Sequence, residues 1–151
     1  MKKAIVAAIA LAIPSVASAG EWAVVSVNDG TAYVIDVESI RTLGSQKTLW
    51  LLTVHGEARS LNDGQTYDYA VERVRVFCDR EAMQWVAGGY YAIGRDVRGT
   101  TNAQSPEVVA LPDSHASSIV GSACGVEPLP PTSPASSHEI AEAMWDFLQT
   151  Q

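Results

Sequence analysis

The stretch from residue 70 to residue 93, AVERVRVFCDREAMQWVAGGYYAI, most constrains how this chain can fold. Two apolar runs rich in β-branched and aromatic residues flank the polar tetrapeptide at 79–82. Such a pattern is typical of two antiparallel strands joined by a short turn. Cys78 ends the first run, so the predicted hairpin also carries one end of a possible covalent link.

The first 19 residues have the pattern of a secretory signal peptide. Lys2 and Lys3 precede an apolar run at 4–13, and Ala17-Ser18-Ala19 supplies small residues for cleavage. A membrane-spanning helix needs about 20 apolar residues, so this run is too short to span. We therefore expect an exported protein whose mature chain begins at Gly20.

The chain has two cysteines, Cys78 and Cys124. In an exported protein two cysteines usually pair, and a bond closing so long a loop contributes about 4 kcal/mol at most. A free thiol and a metal site are the alternatives. Two cysteines without a nearby histidine pair make a poor zinc site.

The chain is acidic, with a net charge of −7. Cleavage after residue 19 would remove two lysines and no acid, leaving 8 basic and 17 acidic residues and a charge of −9. Such a chain repels nucleic acid and anionic membrane surfaces. The sequence contains no CxxC, HExxH or glycine-rich phosphate loop. We therefore expect no metal, no cofactor and no nucleic-acid partner.

Hydrophobic alternation predicts an α+β fold that is mainly an antiparallel sheet of about six strands. The predicted strands are 21–27, 31–36, 46–54, 70–78, 83–93 and 107–111. The strand at 46–54 is apolar on both faces, which is typical of a central strand covered on both sides. A helix with Asp113 as N-cap and Gly125 just beyond its end follows the sheet. Its apolar face includes Cys124, so the predicted disulfide would tie this helix to the sheet.

After the predicted sheet domain, residues 20–125, come a Pro-rich linker at 126–137 and an amphipathic helix at 138–151. The linker composition predicts few contacts, so truncation after Gly125 is expected to leave a folded domain. Ser136 and Glu139 have capping-box spacing. The predicted apolar stripe of the terminal helix comprises Ile140, Met144, Phe147 and Leu148.

No group of residues has the pattern of a catalytic site. The histidines are far apart in sequence, and no Gly-x-Ser-x-Gly occurs. Three acidic residues could suggest a catalytic carboxylate pair, but we interpret both these acids and the histidines as solvated polar residues. These are His55, His115 and His138, and Asp63, Asp68 and Glu72.

Arginines on the predicted strands are the best candidates for binding. Arg73 and Arg75 alternate along one strand, and Tyr90 and Tyr91 lie in the next. Tyrosine and arginine are enriched at protein interfaces, so these four residues form the predicted binding patch, which Arg95 and Arg98 could extend. The alternative is ordinary surface arginine that balances nearby acids. The terminal helix is a second candidate surface, unless it packs on its own domain.

Several short motifs of the chain resemble the bacterial surface-adhesin protein E family. They are Glu21-Trp22, Tyr33-Val34-Ile35-Asp36, Ser39-Ile40, Trp50, Cys78 at the end of a strand, and a short helix ending in Cys124. The resemblance implies an antiparallel sheet with a disulfide-tied C-terminal helix. The family's namesake is an outer-surface adhesin that binds host extracellular-matrix and serum proteins. This chain lacks the lipid-anchor cysteine of anchored relatives and adds a segment after Cys124.

These observations predict an exported, non-catalytic, adhesin-like module that binds a host or envelope protein. The resemblance implies a bacterial source, with the protein in the periplasm, at the cell surface or released. A small envelope hydrolase that uses a scattered serine or histidine is the rival from another class. An inhibitor of an envelope or host enzyme is the third possibility. Polar side chains converging in a closed cleft would favour an enzyme, whereas an exposed patch rich in aromatic residues would favour binding.

Overall fold

The computed structural model describes residues 19–151 as one antiparallel sheet with two helices. The predicted signal peptide falls almost wholly on residues 1–18, outside the described residues. The strands are β1 (Gly20–Asn28), β2 (Thr31–Asp36), β3 (Arg41–Leu43), β4 (Gln46–Ser60), β5 (Thr66–Phe77), β6 (Ala82–Tyr91), β7 (Val97–Thr101), β8 (Val108–Val109) and β9 (Thr132–Ala135). The helices are α1 (His115–Cys124) and α2 (Ser137–Gln149).

The predicted fold class is confirmed, and the described residues form nine strands in the order β7-β6-β5-β4-β2-β1-β9. Two short strands lie off this path, β3 beside β4 and β8 beside β6. The predicted hairpin is the β5–β6 pair. The strands beyond the predicted six are β3, β7 and β9, each of five residues or fewer. Segments this short show little periodicity, so hydrophobic alternation alone does not reveal them.

The central strand β4 is buried on both faces, as its sequence predicts. Leu49 and Leu51 pack against α1 in one apolar cluster. Leu52 and Val54 pack against α2 in a second cluster on the opposite side of the sheet. We call these two sides of the sheet the α1 face and the α2 face.

The C-terminal end of α1 is held to the sheet by the predicted disulfide, which is confirmed. The Cys78 and Cys124 sulfur atoms lie 2.01 Å apart, and the bond links positions 46 residues apart. Beside it, Lys47 Nζ donates to the Ala123 carbonyl at 2.8 Å. Gly125 adopts the left-handed conformation that ends the helix, as expected.

The N-cap of α1 is Ser114, so the prediction of Asp113 was wrong. The Ser114 hydroxyl accepts a hydrogen bond from the Ser117 N–H at 3.2 Å. Asp113 has a φ of 60° and lies in the turn before the helix. Both residue types favour N-caps, so the sequence could not separate two adjacent candidates.

The segment after Gly125 makes far more contacts than its Pro-rich composition predicted, so that expectation was wrong. β9 pairs with β1 from Gly20 opposite Ala135 to Ala23 opposite Thr132. The Trp22 indole N–H also donates to the Ala135 carbonyl at 3.0 Å. Proline has no backbone N–H to donate. Pro134 is tolerated because β9 lies at the edge of the sheet, where no strand on the outer side needs that hydrogen bond.

The predicted capping box of α2 is present, and three of the four predicted stripe residues, Ile140, Met144 and Leu148, pack in the second cluster, whereas Phe147 does not. Ser136 accepts from the Glu139 N–H, and the Glu139 carboxylate accepts from the Ser136 N–H. Ala141 and Leu148 are buried against the α2 face, whereas Phe147 is 44% exposed. The helix thus completes the second apolar cluster and is part of the core.

Loss of the disulfide should loosen α1 before the sheet unfolds. Six of the ten helix residues are buried, but the helix contains Gly121 and several serines, which have poor helix propensity. We expect Cys124→Ala to lose up to about 4 kcal/mol of stability. Hydrogen exchange of the α1 amides should accelerate more than that of β4 and β5. Equal acceleration in helix and sheet would contradict a local role of the bond.

Leu148 and Phe147 offer a matched test of the core role of α2. Leu148→Ala should cost about 2–5 kcal/mol, because it leaves a cavity against β4. Phe147→Ala removes a larger but half-exposed side chain and should cost much less. Urea unfolding of the two variants measures the difference. A similar small loss in both variants, with a cooperative transition after truncation at Gly125, would restore the linker interpretation.

Candidate functional site

The structure places Arg73 and Arg75 on the α2 face, beyond the area that α2 covers. Arg73 lies opposite Trp50 in register, and Arg75 lies opposite Thr48. Arg73 is exposed, and Arg75 Nη1 donates to Gln84 Oε1 at 3.4 Å. Arg73 therefore stands on an open part of the sheet, and the half-buried Arg75 lies on the same face.

The two tyrosines of the predicted patch lie on opposite faces of the sheet. Tyr91 is on the α2 face, where its ring stacks on Tyr69 with centroids 5.2 Å apart. Tyr90 is on the α1 face and packs on Tyr67 at 4.9 Å. Neighbouring residues of a strand point to opposite sides. The structure thus groups Arg73 and Arg75 with the face of Tyr91 and separates Tyr90 from them.

The other two arginines lie elsewhere. Arg95 Nε is 3.6 Å from a carboxylate oxygen of Glu142 in α2, and Arg98 forms a 4.0 Å ion pair with Asp96. Both belong to the end of the sheet near β7. They do not extend the patch at Arg73.

A groove of about 590 Å³ opens on the α2 face beside Arg73. Its aromatic and apolar walls come from four strands. They are Trp22, Trp50, Val71 and Tyr91. We call it the aromatic groove. Trp50 is 38% exposed, whereas Trp22 is 6% exposed, so Trp50 is the ring that a binding partner could cover.

Gly88 and Gly89 let side chains approach the sheet closely on both faces. A Cβ at Gly89 would lie 2.7 Å from the Tyr91 hydroxyl, and one at Gly88 would lie 2.6 Å from Glu72 Cγ. The register also shifts between Ala87 and Trp85, so a bulge precedes the pair. The glycines lie between the aromatic groove and a second cavity behind it.

The second cavity lies on the α1 face and has a volume of about 360 Å³. We call it the Glu72 cleft. Its lining combines aromatic and titratable side chains, chiefly Tyr33, His55, Tyr67, Glu72, Trp85 and Tyr90. Its outer wall is held to β6, because the Ser105 N–H donates to the Trp85 carbonyl and the Trp85 N–H donates to Ser105 Oγ, both at 3.0 Å.

Burial shifts the pKa of two cleft residues strongly. It raises the pKa of the Glu72 carboxyl from 4.5 to about 7, and the Trp85 side chain, as a hydrogen-bond donor, offsets part of this rise. Burial and, to a smaller extent, the positive charge of Arg59 together lower the pKa of His55 to about 4, against a weaker opposing effect of Asp68. Near neutral pH, His55 is therefore uncharged and Glu72 lies close to its titration midpoint.

The interpretation of the histidines and Glu72 as simply solvated residues was wrong. His55 lies 3.3 Å from Thr31 Oγ1, His115 stacks on Tyr33 at 4.4 Å, and His138 Nδ1 is 2.6 Å from the Tyr69 hydroxyl. Glu72 occupies space left by the glycine opposite it. That glycine, in register with a charged residue of the predicted hairpin, was the available sequence signal.

Two concave surfaces rich in aromatic side chains, the aromatic groove and the Glu72 cleft, lie on opposite faces of the sheet at β5–β6. Within residues 19–151, no group of three histidine, cysteine or acidic side chains is placed to hold a metal ion. The same residues include no helix long and apolar enough to cross a membrane. The aromatic groove and the Glu72 cleft are the candidate functional sites, because concave surfaces with aromatic and polar lining are typical of ligand sites.

The family model for surface-adhesin protein E matches residues 22–125. The chain belongs to the surface-adhesin protein E family. The match contains both cysteines and every named wall residue of the aromatic groove, and it ends where α1 ends. Family membership and the disulfide indicate an adhesin-like, exported surface protein. No curated protein and no solved structure matches the chain.

Glu72 should make stability depend on pH. Because its folded pKa is raised from 4.5 to about 7, the folded state loses stability as the pH rises through this window, by about 3 kcal/mol in total. Glu72→Gln should remove this loss of stability at high pH. The variant should therefore be more stable than the wild type at pH 8 and differ little from it at pH 4.5. Chemical unfolding at both pH values tests this.

Glu57→Gln is the matched control, since Glu57 is an exposed glutamate of β4. We expect its effect on stability to be small and independent of pH. A stability difference between Glu72→Gln and wild type that stays constant from pH 4.5 to pH 8 would rule out the raised pKa.

Proposed function

We propose that the protein is a non-catalytic module that binds a protein partner through the aromatic groove and the adjoining Arg73 and Arg75. The main support for this proposal is the partly exposed Trp50 ring, which lies directly opposite Arg73 on an uncovered part of the sheet. Tryptophan and arginine dominate the energetic centres of protein interfaces. Their juxtaposition on a concave surface is what such a centre requires.

The charge of the chain supports recognition by a local surface. The net charge is −7, so the molecule as a whole does not attract acidic partners. Arg73 and Arg75 provide a local positive region beside the groove, with Arg41 near Trp50 and Arg73. We infer that the partner presents an apolar or aromatic side chain next to a carboxylate.

Host extracellular-matrix or serum proteins are the partner class we propose, since the family resemblance implies it. This requires the protein to act at the cell surface or after release. Most of the groove belongs to residues 20–125, and α2 contributes Ser137 at its rim. We therefore propose that residues 20–125 carry the binding function and that the last 26 residues cover the rest of the α2 face.

Capture by immobilised matrix and serum-protein fractions tests the proposal. Trp50→Ala and the double variant Arg73→Glu/Arg75→Glu should each weaken capture by about tenfold or more, as expected for central interface residues. The folded state of each variant is checked by its melting transition. Surface plasmon resonance gives the change in affinity.

Arg59→Glu is the matched charge-reversal control, because Arg59 is an exposed arginine near the other end of β4. Its effect should stay within about twofold. Equal losses of affinity in Trp50→Ala, in the double variant and in Arg59→Glu would contradict binding through the aromatic groove. A turnover signal abolished by substitution of His55, His115 or a serine would instead support the hydrolase.

A further inference from the structure

The Glu72 cleft has features that the proposed protein-binding function does not use. It lies on the α1 face, behind the aromatic groove, and opens through its own mouth. The rings of Tyr33, Tyr67 and Tyr90 all lie within electrostatic range of the Glu72 carboxylate. A carboxyl group thus lines a cavity that three tyrosine rings and one tryptophan ring also line.

Glu72 lacks a cationic partner within the described part of the chain. The ion pairs there join Arg80 to Asp79 and Glu107, Arg95 to Glu142, and Arg98 to Asp96. A carboxylate held in a partly dry, aromatic cleft is unfavourable unless a positive charge or several donors neutralise it. The Trp85 side chain offers one donor. The cleft is therefore complementary to a cation that is not part of this chain.

Aromatic walls indicate what kind of cation fits. The faces of tyrosine and tryptophan rings carry negative electrostatic potential and attract ammonium groups with alkyl substituents, which shed water easily. A hard metal ion needs several oxygen ligands, and the described residues supply no such group here. An anion would be repelled by Glu72. We propose that the Glu72 cleft binds an organic cation with an alkylammonium head, which pairs with the carboxylate and packs on the surrounding rings.

The charged and titratable neighbours of the cleft predict how affinity depends on pH. His55 is neutral above pH 5, because its pKa is about 4. Binding of a cation favours the ionised form of Glu72, whose pKa is about 7 without ligand. The ionised fraction rises about tenfold from pH 6 to pH 8, so affinity should rise by a similar factor.

Two further groups complete the surroundings. Arg59 is exposed, and its positive charge acts on Tyr33, His55 and Tyr67. It opposes a bound cation, so Arg59→Gln should increase affinity. His115 stacks flat on Tyr33 and fixes the orientation of that ring.

Calorimetric titration of the full chain with three probes tests the proposal. Choline represents a free quaternary amine, Nα-acetyl-lysine amide represents a protein lysine, and 3,3-dimethyl-1-butanol is a neutral isostere of choline. We expect at least one cation to bind, about tenfold more tightly at pH 8 than at pH 6, and the neutral isostere to bind at least about tenfold more weakly at pH 8. Tighter binding of the lysine probe would indicate a protein source, and tighter binding of choline a small-molecule source.

Variants locate the site. Glu72→Gln should abolish both the preference for cations and the pH dependence, and Tyr67→Leu should weaken cation binding about fivefold or more. Trp50→Ala alters the aromatic groove and should leave cation binding unchanged. The cation-binding proposal and the protein-binding proposal can therefore fail independently of each other. Absence of cation binding at millimolar concentration, equal binding of the neutral isostere, or unchanged affinity in Glu72→Gln would overturn the proposal.

Discussion

The structure depends on the burial of β4 on both of its faces. Leu49 and Leu51 require a cover on one side, and Leu52 and Val54 require a cover on the other. A single layer of sheet cannot supply either cover, so two helices from the C-terminal part of the chain do so. The disulfide holds α1 in place, and the pairing of β9 with β1 positions α2.

Neither helix is long enough to cover its face completely. Beyond α1 and α2, the β5–β6 region of the sheet stays open on both sides, and a cavity forms on each. Gly88 and Gly89 let lining side chains lie close to the sheet, because a Cβ at Gly88 would clash with Glu72 and one at Gly89 would clash with Tyr91. The core and the candidate sites therefore arise from the same sheet.

Local patterns in the sequence were sufficient for much of the fold. Hydrophobic alternation predicted the β5–β6 hairpin, and residue spacing predicted the Ser136–Glu139 capping box. The presence of two cysteines in a chain expected to be exported predicted the Cys78–Cys124 bond. β9 could not be predicted, because four residues that include a proline gain their strand pairing from a distant partner. Alternation also implied that adjacent residues of a strand cannot share one face, which separates Tyr90 from Tyr91. The burial of Glu72 depends on the residue across the hairpin, which composition alone does not reveal.

The pairing of β9 with β1 affects the order of folding. Trp22 is bonded to a carbonyl 113 positions further along the chain, so β1 gains its outer neighbour only after almost the whole polypeptide is available. Loop closure over such a distance is slow compared with hairpin formation. Although β1 is the first strand of the sheet in chain order, it is thus among the last to gain both neighbours, and until then its outer edge remains open to chaperones or to a neighbouring chain.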